Sequence, residues 1–274
     1  MSITVPKKLK QGLKKAIIII LGLYVMIGMA LYLLQEKILF RPTVLQQDYK
    51  FEFSYPYEEL FLKTDENAVI NAIHFKVENP KGVILYFHGN AGDLQRWGMI
   101  TEFFVEKDYD VFVMDYRTYG KSTGALSEAA LYSDAQFCYD YLKKNYNTET
   151  ITIYGRSLGT GIATYIASKN VVKQLILETP YYSITNVAKH RFPIYPVTNL
   201  LKYKLPSFEF IKKVNSPIFI FHGTDDAVVP FKSGKKLSEI ASKNQLNFTT
   251  IEGGNHNNLI EFDAYKQGID NILK

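Results

Sequence analysis

An α/β domain with a mostly parallel central sheet flanked by helices, preceded by one N-terminal transmembrane helix, is the fold class that this 274-residue sequence predicts. Three observations carry the expectation. Residues 16–34, AIIIILGLYVMIGMALYLL, contain no charge and follow directly on a lysine cluster. Over the rest of the chain, short β-branched or aromatic runs alternate with helical patterns. Strand runs such as VILYF and PIFIF are apolar at consecutive positions, which suits strands covered on both faces by helices.

The apolar run comes first in the chain. As a helix of 19 residues it reaches about 28 Å, close to the ~30 Å hydrocarbon core of a bilayer. Gly28-Met29-Ala30 offers a small-x-small cleavage pattern. The run is nevertheless longer than the usual signal-peptide core of about 7–15 residues and continues past Ala30, so an uncleaved anchor is preferred. Lys7, Lys8, Lys10, Lys14 and Lys15 precede it, whereas only Glu36, Lys37 and Arg41 lie close behind it. The positive-inside bias then leaves the N-terminus cytoplasmic and the body of the chain on the far side of the membrane. The resulting organisation is a basic leader (1–15), an anchor helix (16–34), a juxtamembrane stretch (35–56) and one α/β domain (57–274).

Charge and composition narrow the function classes. The formal net charge of +5 equals the five leader lysines, so the body is neutral and nothing marks a nucleic-acid partner. At 47% hydrophobic and 22% charged residues, the chain has ample material for a core and none of the bias of a disordered protein. Cys138 is the single cysteine, which excludes an intrachain disulfide and a multi-cysteine metal site.

The body then reads as strands at 68–75, 82–87, 111–114, 150–154, 174–177, 218–221 and 247–251. Helical patterns fall at 93–107, 127–145, 158–169, 233–243 and 258–273. The longest stretch off this rhythm, 179–217, is rich in proline and aromatics; a short cap and a surface loop with one or two helices fit it equally. Tyr181, Tyr182, Phe192, Tyr195 and Tyr203 stand there, either over a site or as packing residues.

Three turns carry chemistry. Gly155-Arg156-Ser157-Leu158-Gly159 joins the strand ITIY to a helix packed through small residues. A G-x-S-x-G match alone is weak; at a strand-to-helix turn it holds a serine Oγ above the sheet edge, beside a helix N-terminus. Such a serine needs a base. Of the histidines after Ser157, His256 sits in a glycine-rich loop after the last strand, at the same sheet edge, whereas His190 and His222 read as loop or core residues. The acid that orients the base belongs after an intervening strand, and Asp226 is preferred there to Asp225, with Glu178 third. The backbone N–H groups of Leu158 and Asn90, the latter in His88-Gly89-Asn90-Ala91-Gly92, are the candidate oxyanion donors. That loop lacks the lysine of a P-loop and the third glycine of a dinucleotide fingerprint. No metal or organic cofactor is expected.

The segments YFHGNAG, DYRTYGKS, GRSLG, FHGTDDAVVP and GGNHN occur in the order of the α/β-hydrolase superfamily, which the sequence resembles over nearly the whole body. More narrowly it is similar to the small membrane-anchored branch, whose members include lipid-directed hydrolases and depalmitoylating thioesterases. The resemblance implies the same Ser157, Asp226 and His256 as a triad. Thr118 stands where the relatives usually carry glycine, a departure expected to alter substrate fit. The cysteine-rich N-termini of the depalmitoylases are missing, so that substrate is not carried over. The expectation is a membrane-anchored serine hydrolase that cleaves an ester or thioester of a small-molecule or lipid-like acyl substrate. A peptidase and a non-catalytic binding protein with the same fold are the alternatives.

Overall fold

The structure, a computed structural model, describes residues 7–274; of the basic leader assigned to 1–15, residues 1–6 lie outside the described residues. Helix α1 spans Lys7–Leu39 and strand β1 is Arg41–Pro42. Next come β2 (Tyr57–Asp65), β3 (Ala68–Phe75), β4 (Val83–Phe87), β5 (Ala91–Gly92), α2 (Leu94–Val105) and β6 (Asp110–Met114). Then follow α3 (Glu128–Leu142), β7 (Ile151–Arg156), α4 (Gly159–Lys169) and β8 (Gln174–Glu178). The segment after β8 holds three short helices, α5 (Ile184–Arg191), α6 (Val197–Leu200) and α7 (Ser207–Phe210). The chain ends with β9 (Ile218–Gly223), α8 (Phe231–Ser238), β10 (Leu246–Ile251) and α9 (Asp263–Ile272).

The eight-stranded sheet has the order β10-β9-β8-β7-β4-β6-β3-β2. Its neighbours pair in parallel except at β2/β3 and β3/β6, so β3 alone runs against the rest. All five residues of β4 are buried, as the unbroken apolar run requires. Val83, Leu85 and Phe87 pack on the face that holds α3 and α4, while Ile84 and Tyr86 pack on the face that holds α2 and α9. From β4 the chain moves outward to β6 and returns on the other side at β7. Strand order therefore reverses beside β4, the place where sheets of this kind leave a crevice at their carboxyl edge.

Caps set the helix starts. Asp93 accepts from the backbone N–H of Gln95 and Arg96 at the head of α2, and Ser127 accepts from that of Ala130 at the head of α3. Two C-terminal elements differ from expectation. The helix expected from 233 starts at Phe231 directly after Pro230, and the one expected over 258–273 is divided into a 3₁₀ turn (Leu259–Glu261) and α9. Strand β2 was absent from the sequence reading. It is a sheet edge with alternating half-buried and exposed residues, and Glu58, Glu59 and Lys63 hide its apolar positions.

The anchor helix does not stop at residue 34. Residues 35–39 of the expected juxtamembrane stretch continue α1, and Phe40 and Phe51 of the same stretch are buried in the domain. Arg41 and Pro42 then pair with Ala91 and Gly92, which ties the base of the anchor to the loop after β4.

Candidate active site

Ser157 sits at the turn from β7 into α4 with φ 51°, a left-handed conformation that aims its side chain away from the sheet. The turn is tight enough to exclude side chains on either flank. A Cβ on Gly155 would lie 2.6 Å from that of Ala163, and one on Gly159 would strike the Phe87 carbonyl. The backbone is braced from three sides. The Ser157 N–H donates to the Glu178 carbonyl (2.9 Å), the Thr160 hydroxyl donates to the Ser157 carbonyl (2.7 Å), and the Tyr181 hydroxyl donates to the Leu158 carbonyl (2.8 Å).

The three side chains singled out in the sequence meet here. Ser157 Oγ lies 2.8 Å from His256 Nε2, and His256 Nδ1 lies 2.8 Å from Asp226 Oδ2. All three residues are buried, Ser157 and His256 with 8% and 9% of their surface exposed. Asp226 Oδ1 accepts the Val228 and Val229 amides at 2.9 and 2.8 Å, and His222 Nε2 stands 3.4 Å from Oδ2. Burial opposes the charge on this carboxylate, but the hydrogen bonds from His222, His256 and Val229 outweigh it and hold its pKa at about 2. An ionised Asp226 can only accept, so His256 carries its proton on Nδ1 and turns a free lone pair on Nε2 toward the serine hydroxyl.

Local structure fixes each member of the set. The loop bearing Asp226 is laced to the loop bearing His256: the Asp225 N–H donates to the Gly254 carbonyl, and Gly253 N–H donates to Thr224 Oγ1, both at 2.9 Å. Asp225 itself is exposed. Glu178, the third-ranked acid, is buried against Arg156 and accepts from the Tyr154 hydroxyl, while His256 Nδ1 is bonded to Asp226.

The loop after β4 brings Asn90 to the same edge. Its carbonyl accepts from the Tyr119 hydroxyl (2.7 Å) and the Arg41 N–H (2.8 Å), while its side chain donates to the Leu39 carbonyl at the end of α1 (3.1 Å). Among the described residues, neither the Asn90 nor the Leu158 backbone N–H donates to another group of the chain. Beneath the loop, His88 donates from Nδ1 to the Gly89 carbonyl (2.7 Å), and its Nε2 lies 3.2 Å from Asp115. Burial raises the Asp115 pKa, against the opposing pull of the neighbouring His88 and the Leu94 amide.

Beside Asn90 and the Asp226 loop opens a cavity of about 430 Å³. Its walls come from α1 (Leu31, Gln35, Ile38, Leu39), from residues 184–201, and from Ala227, Val228 and Pro230. Its polar lining consists of Gln35, Arg41, Asn90, His190 and Arg191, with no acid among the described residues.

Of the two roles open to the aromatics of 179–217, packing holds for three: Tyr181 and Tyr203 are buried, and Tyr182 stacks on Phe208. Of the five aromatics only Phe192 lines the cavity. Thr118 is exposed and stands outside the lining of this cavity. Its φ is 75°, the region where a β-branched residue is strained and glycine is not, which accounts for the glycine of the relatives. Thr118→Gly should therefore stabilise the fold by about 1 kcal/mol, the relief of strain exceeding the added chain entropy. A thermal midpoint about 2–4 °C higher checks this; an unchanged or lower midpoint contradicts it. His222 and Arg156 are the site residues that sequence reasoning missed. The spacing of His222, four residues before Asp226, was the available signal.

Comparison with known proteins decides the family. The family model described as serine aminopeptidase, S33 (Hydrolase_4) matches residues 78–210. An uncharacterized protein of Acanthamoeba polyphaga mimivirus is 30% identical over 73% of this chain and 75% of its own length. An uncharacterized membrane protein of Saccharomyces cerevisiae is 31% identical over 80% of each chain. The chain belongs to the α/β-hydrolase superfamily. It is a hydrolase carried on a helix long and apolar enough to cross a membrane. The lysophosphatidylserine lipase ABHD12 of Danio rerio is 32% identical over 62% of this chain and half of its own length. Among solved α/β-hydrolase structures, an esterase of Pyrococcus furiosus superposes with a TM-score of 0.68 at 16% identity, covering 86% of this chain and 97% of its own. That likeness speaks for the fold.

Proposed function

We propose that this α/β-hydrolase is a membrane-anchored serine hydrolase that cleaves the carboxylic ester of a single-chain, anionic lipid through an acyl-enzyme on Ser157. The observation that carries the reading is the unbroken Ser157–His256–Asp226 relay with both contacts at 2.8 Å. His256 Nε2 takes the hydroxyl proton as Oγ bonds to the ester carbon. The carbonyl oxygen gathers negative charge facing the N–H groups of Asn90 and Leu158. The imidazolium formed, held by Asp226, passes its proton to the leaving alkoxide (or thiolate, for a thioester) as the tetrahedral intermediate collapses. Water then attacks the acyl-serine, giving its proton to His256, and the acid departs as Oγ regains a proton. Every step uses groups of this chain and water alone.

The cavity supports a lipid over a peptide. An aminopeptidase must hold a protonated α-amine, which calls for an acid, whereas Arg41, His190 and Arg191 suit a phosphate or carboxylate. Its volume is about three times the ~150 Å³ that accommodates benzene, room for one acyl chain of on the order of 17 carbons. The lysophosphatidylserine lipases among the relatives point the same way. The lysine leader supports an N-terminus in the cytoplasm and a catalytic domain across the membrane.

The test is release of fatty acid from lysophosphatidylserine or lysophosphatidylcholine, and of amine from an aminoacyl amide, by the full chain in vesicles. Release from lysophosphatidylserine at least tenfold faster than from lysophosphatidylcholine is expected. Cleavage of the amide with no lipid turned over would overturn the reading in favour of a peptidase.

A further inference from the structure

The described part of α1 is exposed along nearly its whole length except for one stripe. Tyr24, Gly28, Leu31, Gln35 and Leu39 recur at three- and four-residue spacing on a single helix face, and all of them are half-buried or buried. This stripe meets the segment after β8. Tyr24 stacks on Tyr195 with ring centroids 4.7 Å apart, and its hydroxyl donates to the Ile194 carbonyl at 3.0 Å. The Tyr195 ring lies so close over Gly28 that a Cβ there would come within 3.3 Å of it. Gln35 clamps the same segment, donating to the Leu200 carbonyl (3.1 Å) and accepting from the Lys202 N–H (2.7 Å).

From this geometry we infer that the anchor helix is itself a wall of the acyl-binding cavity, and that the acyl chain enters from the bilayer between α1 and residues 192–196. The inference rests on the hydrolase reading and names how that site takes its substrate. Leu31, Gln35, Ile38 and Leu39 lie one behind another on the cavity side of α1. The cavity they close reaches Asn90, whose side chain is bonded to the last turn of the same helix.

Depth in the membrane follows from helix rise. Tyr24 lies within the uncharged run 16–34 and about 16 Å back along the axis from Gln35. Residues 192–196, stacked beside Tyr24, therefore reach into the leaflet. Their sequence Phe-Pro-Ile-Tyr-Pro is uncharged, and Ile194 is 70% exposed, a composition suited to hydrocarbon and unsuited to water. A shallow apolar groove bounded by Tyr24, Gly28, Tyr195 and Leu200 lies at this seam, and Leu200 also lines the cavity. A lipid chain that parts the Tyr24–Tyr195 contact passes along the seam without leaving the bilayer, whereas a soluble ester has to approach from the water.

The experiment uses the full-length chain in vesicles and reads the ratio of long-chain (palmitoyl) to short-chain (acetyl) ester turnover, counting only activity lost in Ser157→Ala. A ratio does not depend on how much of a variant is folded. Leu31→Trp fills the cavity and should lower the ratio at least tenfold. Leu31→Ala enlarges it and should shift the optimum to longer chains. Leu33→Trp, on the lipid-facing side where Leu33 is 66% exposed, should keep the wild-type profile. Ile194→Glu should lower turnover of palmitoyl lipid held in vesicles at least fivefold. Leu31 variants with the wild-type ratio would overturn the wall, and Ile194→Glu with full activity on vesicle lipid would overturn entry from the bilayer. A wild-type chain that hydrolyses no ester at all is a separate result, and it would refute the hydrolase reading beneath both.

Discussion

Ser157→Ala is expected to lower turnover by about 10⁶-fold, to the residual level that binding and oxyanion donors alone support. The hydroxyl is the only part of the side chain that meets the relay, and its loss removes the atom to which the acyl group would bond. The fold should survive. Alanine tolerates the φ of 51° no worse than serine does, and the hydrogen bonds that brace the turn all use backbone groups of residue 157 or its neighbours. A melting temperature within about 2 °C of wild type, measured beside the rate, checks both halves. Turnover within tenfold of wild type would remove Ser157 from the chemistry.

Asp226→Asn is the second large effect, expected near 10⁴-fold. The asparagine oxygen can still accept the Val228 and Val229 amides in place of Oδ1. Its NH₂ then faces His256 Nδ1, which donates to Asp226 in the native site. The mismatch drives His256 to the other tautomer, with the proton on Nε2, and that nitrogen can no longer take one from Ser157. The rate loss is thus a loss of base rather than of substrate binding, so kcat falls and KM changes little. The native carboxyl, with its pKa held at about 2, stays ionised throughout the neutral range and does not itself gate the pH profile there. Asp225→Asn, at the exposed neighbour, should leave the rate within about twofold, which separates the two adjacent acids.

The sheet was legible wherever strands are covered on both sides, because burial on two faces forces consecutive apolar residues. β4 and β9 read directly for that reason. β2 escaped because an edge strand answers to water on one side, and its charged residues broke the pattern. The relay was legible because each member follows a strand at one sheet edge, and chain order alone brings those ends together. The supporting residues were less so. His222 looked like a core or loop histidine and nothing in the sequence singled out Arg156, since the contacts that give each a role reach across loops with no local signature. The part α1 takes in lining the cavity was hidden more completely. Three of the five stripe positions, Tyr24, Gly28 and Leu31, fall within the apolar run and leave no contrast for a sequence to show, and the stripe emerges only once Gln35 is seen clamping the backbone of residues 200–202.

The central claim, that Ser157 is the activated nucleophile of this α/β-hydrolase, is tested most directly by covalent labelling. The full chain in vesicles would be treated with a fluorophosphonate, which captures a serine only when a neighbouring base and oxyanion donors are in place. Intact-mass and peptide analysis would then locate the adduct. A single adduct on Ser157, lost in Ser157→Ala and strongly slowed in Asp226→Asn, is the predicted result. A folded chain that takes up no label, or takes it up on another serine, would contradict the account.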